Sequence, residues 1–263
     1  MLLDLLFPKK CLGCGEFGRF ICSDCAGNLA ENEQLICPVC RENSFSGESH
    51  KKCEGRYTLD GFFCFWQYKG LAQKLIKNLK YRFVRSEVEE VVDLATNQLR
   101  NTPGVNQLKE TSEVDGCHPR RLTKNRNLTF LKFLETKPII IPVPLHKLRE
   151  NWRGFNQAAL LGKEFAKRFG FKFSDKILER IKDTRPQVEL RGKKRRENIK
   201  GVFALSEKIH PRGEKILHPG GVLRNRNFLL VDDVWTTGST LRECAKVLKK
   251  AGAGKIWALT LAR

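Results

Sequence analysis

The run Phe228-Leu-Leu-Val-Asp-Asp-Val-Trp-Thr-Thr-Gly-Ser-Thr240 sets an apolar strand, an acidic pair and a hydroxyl- and glycine-rich turn in direct series, and it constrains the fold more than any other stretch. Phe228 to Val231 reads as a short buried strand with Asp232 and Asp233 at its carboxyl end. Thr236-Thr-Gly-Ser-Thr240 then turns into a helix. Leu241, Cys244, Ala245, Leu248 and Ala251 recur at the spacing of one buried helix face, and Gly252 is a stop signal. Ile256 to Leu261 reads as the next buried strand. A turn of small and hydroxyl residues leaves backbone N–H groups free to surround a phosphate, and the following helix adds its positive dipole end. Gly238 lets the backbone approach closely.

Taken alone, the acidic pair would be a solvated strand end and the turn an ordinary helix cap. Joined without a gap, they resemble the phosphoribosyl-diphosphate motif of type I phosphoribosyltransferases. The resemblance implies that Asp232 and Asp233 hold the ribose hydroxyls of phosphoribosyl diphosphate with Mg²⁺ nearby. Thr236, Thr237, Gly238, Ser239 and Thr240 would hold the 5′-phosphate. Thr236 stands where several purine-salvage members of that family carry an Asp. A hydroxyl is far outside the pKa range useful for general acid–base work at neutral pH, so purine salvage is disfavoured.

A second stretch, Ile139-Ile-Ile-Pro-Val-Pro144, is a β-branched strand stopped by Pro142, after which Lys147, Arg149 and Arg153 cluster. The pattern predicts a basic loop there and a helix from Asn156, with Ala159, Leu160, Phe165, Ala166 and Phe169 on its apolar face. A basic loop at a strand–helix junction suits an anion. With the first motif, Pro-Val-Pro and Arg153-Gly-Phe-Asn-Gln157 resemble the ComF family, in which a zinc-binding N-terminus precedes a phosphoribosyltransferase domain. Asp183-Thr-Arg-Pro-Gln187 and Arg195-Arg-Glu-Asn-Ile-Lys-Gly-Val-Phe203 fit the same pattern. The resemblance covers nearly the whole chain. It implies that backbone near Val143, Pro144 and Leu145 faces the diphosphate with Arg153, and that residues 183–198 form a mobile flap. Two stretches, about 100–133 and 207–226, are longer and less patterned than the family requires and read as irregular inserts.

The N-terminus carries four two-residue clamps: Cys11-x-x-Cys14, Cys22-x-x-Cys25, Cys37-x-x-Cys40 and His50-x-x-Cys53. A C-x-x-C turn aims two thiolates at one tetrahedral ion, and two such turns close a structural zinc site. One zinc ion is expected, and a second if His50 ligates; whether the clamps pair in sequence or alternately is not written in their spacing. Met1-Leu-Leu-Asp-Leu-Leu-Phe7 is short, broken by Asp4 and without a basic start, so no leader is read there and the chain is placed in the cytoplasm. Repeated C-x-x-C pairs in a reducing compartment bind metal rather than form disulfides. Cys64 and Cys244 fall in apolar surroundings and read as packed small hydrophobes, whereas Cys117 falls in the first insert.

The pattern changes at Tyr57, dividing a module over residues 1–56, which depends on metal for its folding, from an α/β domain over 57–263. Phe62 to Trp66 suggests a strand, with Trp66 in the core. Leu71, Leu75, Ile76 and Leu79 suggest a helix, and Val88, Val91, Val92, Ala95 and Leu99 another. The expected fold is α/β, a mainly parallel sheet flanked by helices of the type I phosphoribosyltransferase kind, with its ligand outside the carboxyl ends of the strands. No stretch is apolar for long enough to span a membrane.

Charge is the remaining signal: 49 Lys and Arg against 29 Asp and Glu, a formal excess of +20. Such an excess attracts polyanions through counterion release. Contributors are Arg120, Arg121, Lys124 and Arg126, the 147–153 segment and Arg191-Gly-Lys-Lys-Arg-Arg196. Trp152 or Phe155 could offer a stacking surface. The resemblance points the same way, because ComF proteins are linked to natural transformation and the handling of incoming single-stranded DNA, with DNA-uptake proteins as partners. Two classes lead, with a nucleobase or nucleotide phosphoribosyltransferase of salvage metabolism as the third choice. One is a pentosyl transferase acting on phosphoribosyl diphosphate with an unidentified acceptor, and the other is a DNA-binding factor that holds the same ligand without transferring it.

Overall fold

A computed structural model of the protein describes residues 8–81, 85–100, 127–182, 199–206 and 223–263. Four strands, β1 (Gly61–Trp66), β2 (Ile139–Pro142), β5 (Phe228–Val234) and β6 (Ile256–Ala262), form an all-parallel sheet in the order β1-β6-β5-β2. A short antiparallel pair, β3 (Leu178–Arg180) and β4 (Phe203–Leu205), stands apart from it. Apart from Thr260 and the acidic pair near the end of β5, the parallel strands are apolar because both faces of the sheet are covered.

The pleat sorts the core into two layers. Phe63, Phe65, Ile140, Leu229, Val231, Trp257 and Leu259 face one side. There they meet α2 (Gly70–Tyr81), α3 (Arg85–Arg100), α4 (Leu128–Glu135) and α6 (Gln157–Phe169). Phe62, Cys64, Ile141, Phe228, Leu230 and Ile256 face the other side, against α7 (Ser239–Lys250) and the β3–β4 pair. Trp66 and Cys64 are buried as expected. Trp257 sits in register beside Gly61, where a Cβ would run into its indole ring.

Three expectations are corrected. The basic segment after β2 is not a loop but a helix, α5 (Lys147–Arg153). His146 Nδ1 accepts the Leu148 N–H at its start, and Gly154, at φ 77°, closes its end. The first insert ends sooner than its composition suggests. Leu128–Glu135 is helical, with Phe130 stacked on Phe63 at a ring-centroid distance of 4.5 Å and Phe133 stacked on Trp257 at 5.5 Å. Burying that apolar face on the sheet outweighs a charged flanking sequence. In the second insert, Leu223 is buried and Asn225 N–H donates to Gly252 O, so these residues belong to the body of the domain. Met1–Phe7, Cys117, the basic residues Arg120, Arg121, Lys124 and Arg126, and the segment 183–198 with Arg191–Arg196 lie outside the described residues.

The Cys-rich segment, which carries the short helix α1 (Ser23–Gly27), is fastened along the edge strand β1. Asn32 N–H donates to Phe65 O, Gln67 N–H to Ala30 O, and Phe62 N–H to Gly47 O, so it occupies a sheet edge that would otherwise present unpaired backbone. Ile21, Leu29 and Leu35 enter the first core layer and Ile36 the second. Among the described residues no helix is long and apolar enough to cross a membrane.

Candidate functional site

The metal clamps pair in sequence. Cys11, Cys14, Cys22 and Cys25 converge on one point and Cys37, Cys40, His50 and Cys53 on another, the ligand atoms of each set within 4.8 Å of one another. A tetrahedral zinc ion with Zn–S of about 2.3 Å needs sulfur–sulfur edges of about 3.8 Å. Cys22 Sγ lies 3.7 Å from Cys11 Sγ and 3.6 Å from Cys14 Sγ. In the second set, His50 Nδ1 lies 3.3 Å from Cys40 Sγ, while His50 Nε2 is 2.9 Å from Asn43 O. A proton on Nε2 donates to that carbonyl and leaves Nδ1 to ligate, the arrangement by which outer groups orient metal-bound histidine.

The thiol chemistry fits the same ion. Burial opposes ionisation of Cys11, but N–H donors from Cys14, Cys22 and Gly13 outweigh it and bring the thiol down to about 6. Cys37 is likewise brought down to about 7 by N–H donors from Cys40, His50 and Val39, against burial. Their neighbours move the other way. Cys25 is pushed up to about 12, first by its contact with Cys22, and Cys53 to about 11, first by burial and then by Cys40 and Cys37. Clustered sulfurs with opposed ionisation are what a dication resolves.

On the opposite side of the sheet's centre, β2 and β5 are neighbours, and the segments leaving their carboxyl ends line one cavity of about 520 Å³. Its wall includes Val143, Pro144, Leu145, Arg149, Trp152 and Arg153 from the β2 side. Asp232, Asp233, Thr236, Gly238, Ser239 and Thr240 come from the β5 side. Of the five residues expected to hold a phosphate, Thr237 alone does not line it: its hydroxyl pairs with Ser239 Oγ at 2.9 Å and its carbonyl accepts from Arg242 at 2.7 Å. Val143 spends its N–H on Val231 O and its carbonyl on Asn156 Nδ2, and Pro144 has no N–H. Leu145 is therefore the one of these three whose N–H can turn to a ligand. Gly238 has φ 70°, and a Cβ there would run into the indole of Trp235, itself buried against Phe62. Only glycine fits between that ring and the cavity.

The acidic pair lies within β5, not beyond it. Asp232 Oδ1 accepts the Asp233 N–H at 2.9 Å, and Lys80 Nζ from the end of α2 stands 3.1 Å from Asp233 Oδ2. That oxygen is buried, and the Lys80 ammonium is its partner. Burial first, then the Asp233 charge, pushes Asp232 up to about 8. Lys80 is held above its ordinary value: burial works against its charge, and Asp233 outweighs it. Sequence periodicity assigned α2 but gave Lys80 no role, because nothing local brings residue 80 to residue 233.

Asp232 makes stability depend on pH. Its folded-state value near 8 lies above the unfolded value of about 3.9, so the native state keeps a proton that the unfolded chain loses between those limits. Stability contributed by the protonated form is complete below pH ~4 and is lost as pH rises through ~8. Asp232→Asn removes this penalty. At pH 9 we expect it to gain about 2–3 kcal/mol after allowance for solvent in the cavity, a Tm higher by about 5 °C or more. The gain should vanish at pH 4, and thermal melts giving the same gain at both pH values would refute the assignment.

Comparison with known proteins finds two family models matching separate stretches of the chain. Residues 2–54 match the family model of the double zinc ribbon domain, and residues 157–263 that of the phosphoribosyl transferase domain. The chain joins a double zinc ribbon to a phosphoribosyltransferase domain. Both halves of the resemblance to the ComF family are thereby borne out. Competence protein F of Haemophilus influenzae is 38% identical over 134 residues, covering 49% of this chain and 52% of that protein. The DNA utilization protein YhgH of Escherichia coli O157:H7 is 28% identical over 253 residues, 94% of this chain and 92% of its own length. Competence protein ComFC of Bacillus subtilis is 32% identical over 137 residues, 51% and 49% of the two chains. The matches to the two competence proteins thus span about half of each relative.

Proposed function

We propose that the cavity binds phosphoribosyl diphosphate with Mg²⁺, and that the protein uses this ligand in the handling of incoming single-stranded DNA. One observation carries the reading: an acidic pair and a glycine-centred helix N-terminus from β5 meet the Leu145 and Arg153 side of β2 in a single cavity. Asp232 and Asp233 take the ribose hydroxyls, Thr236, Gly238, Ser239 and Thr240 the 5′-phosphate, and Leu145, Arg149 and Arg153 the diphosphate. Mg²⁺ supplies neutralisation of the diphosphate charge. In transfer, the acceptor bonds to the anomeric carbon as the C–O bond to diphosphate breaks, diphosphate keeping the electron pair and the acceptor's proton passing to water. Thr236, exposed at the cavity, gives the acceptor no acid or base, which again disfavours a free purine.

A binding role without transfer is the second reading, and the cavity mouth favours it. Trp152 is 74% exposed beside Arg149 and Arg153, and Tyr81, 66% exposed, has the Arg153 guanidinium 5.8 Å from its ring centre. Exposed aromatic rings with arginine suit unstacked bases. The relatives' names, competence protein and DNA utilization protein, support the same pathway.

Calorimetric titration of the zinc-loaded protein with phosphoribosyl diphosphate tests the ligand assignment. One site per chain is expected, present with Mg²⁺ and lost on its omission. An intact, folded protein that gives no binding heat at millimolar ligand overturns it. A salt series with single-stranded oligonucleotide tests the remainder, and absence of affinity near physiological ionic strength removes the DNA half.

A further inference from the structure

Arg242, in the first turns of α7, makes three hydrogen bonds that span two sites. Its Nη1 donates to Pro38 O at 3.1 Å and to Val39 O at 3.0 Å, and its Nη2 donates to Thr237 O at 2.7 Å. Pro38 and Val39 are the two residues between the zinc ligands Cys37 and Cys40. Their turn closes on itself through Arg41 N–H to Cys37 O and Cys37 N–H to Glu42 O, so the two intervening carbonyls are the ones turned to Arg242. Thr237 is the residue before Gly238. In a planar trans peptide the C=O and N–H point in opposite directions. Holding Thr237 O against the guanidinium therefore aims the Gly238 N–H the other way, on the side of the cavity that Gly238 lines.

We propose that Arg242 is a positioning residue that sets the Gly238 N–H towards the phosphate and makes that setting depend on metal in the second zinc site. A guanidinium is planar, with its donors in a fixed fork. When the Cys37–Cys40 turn is held by a metal, its carbonyls lock the fork and the fork locks the Thr237–Gly238 peptide; a slack turn releases both. The first zinc site has a different attachment, through Phe20 N–H to Glu90 Oε2 on α3 at 2.8 Å, so loss of its metal should leave the phosphate loop in place. The inference rests on the phosphate-site reading for its purpose, but the linkage itself can be measured without ligand.

Hydrogen exchange over residues 236–241, with zinc content measured on the same samples, tests it. Cys53→Ser, which removes the second metal, and Arg242→Gln, which keeps it, should each speed exchange there by roughly tenfold. The double variant should be no faster than either alone, since both act through one link. Cys53→His should restore zinc and protection together, while Cys14→Ser should loosen the first ribbon and leave 236–241 within about twofold. Equal exchange in Arg242→Gln and the parent overturns the proposal, as does the same loop response to loss of either metal. If Cys53→Ser opens β6 as well, zinc-loaded Arg242→Gln decides by itself: faster exchange confined to the loop supports the linkage and an unchanged loop refutes it. A parent protein that shows this linkage yet binds no phosphoribosyl diphosphate would sink the ligand assignment and leave the linkage standing.

Discussion

Asp232→Asn/Asp233→Asn is expected to abolish binding of phosphoribosyl diphosphate, weakening it by about 100-fold or more while the fold survives. Each carboxylate would lose charge-assisted bonds to ribose hydroxyls, worth about 1.5–3 kcal/mol apiece, so two losses multiply to that range. Folding should be nearly neutral because two effects oppose. Removing the Asp232 carboxylate relieves a buried charge that already pushes its own value to about 8. Removing the Asp233 charge deprives Lys80 of its partner, but the Lys80 side chain keeps 26% exposure and can turn to solvent in the cavity. Calorimetry with a parallel thermal melt separates the outcomes. A folded variant that binds as tightly as the parent would remove the acidic pair from the site.

Stripping zinc from both sites should destabilise the whole protein, not the ribbon alone. Ile21, Leu29, Leu35 and Ile36 are at most 8% exposed and belong to the two core layers of the α/β domain. At about 1.5–3 kcal/mol for each, their exposure costs about 6–12 kcal/mol as an upper bound, the size of a typical domain's entire stability. The backbone of β1 and of Gln67 just after it, which pairs with Asn32, Gly47 and Ala30, would also be uncovered, an edge open to intermolecular pairing. Chelation should therefore lower Tm by more than about 10 °C, raise binding of a hydrophobic dye and cause light scattering. A chelated protein that keeps an unchanged melting transition for residues 57–263 would mean that the ribbon is an independent appendage.

The same contrast governs what could be read from the chain. Strands at 61–66, 139–142, 228–234 and 256–262 and helices α2, α3, α6 and α7 were legible because burial on a sheet face or helix stripe imposes a period on adjacent residues. Helix α5 was not, since none of its seven residues is buried and its two apolar side chains, Leu148 and Trp152, are exposed among charged neighbours. Helix α4 was masked by the charged sequence before it, although Phe130 and Phe133 carry its core contacts.

At the sites, the sequence by itself determined the ligand types: eight metal-binding side chains in four clamps, an acidic pair, and a turn with glycine where a Cβ has no room. Spacing within a dozen residues is enough for that, because each clamp or loop is a local backbone structure. Tertiary structure alone decided that the clamps pair in sequence, that Lys80 faces Asp233, that Trp235 closes under Gly238, and that Arg242 spans the Cys37–Cys40 turn and the turn before α7. Lys80 and Asp233 are separated by most of the domain, and Arg242 lies over two hundred residues from Val39. No local periodicity encodes such meetings. They exist because the parallel sheet brings the ends of β2, β5 and β6 together and because the ribbon must cover the edge of β1.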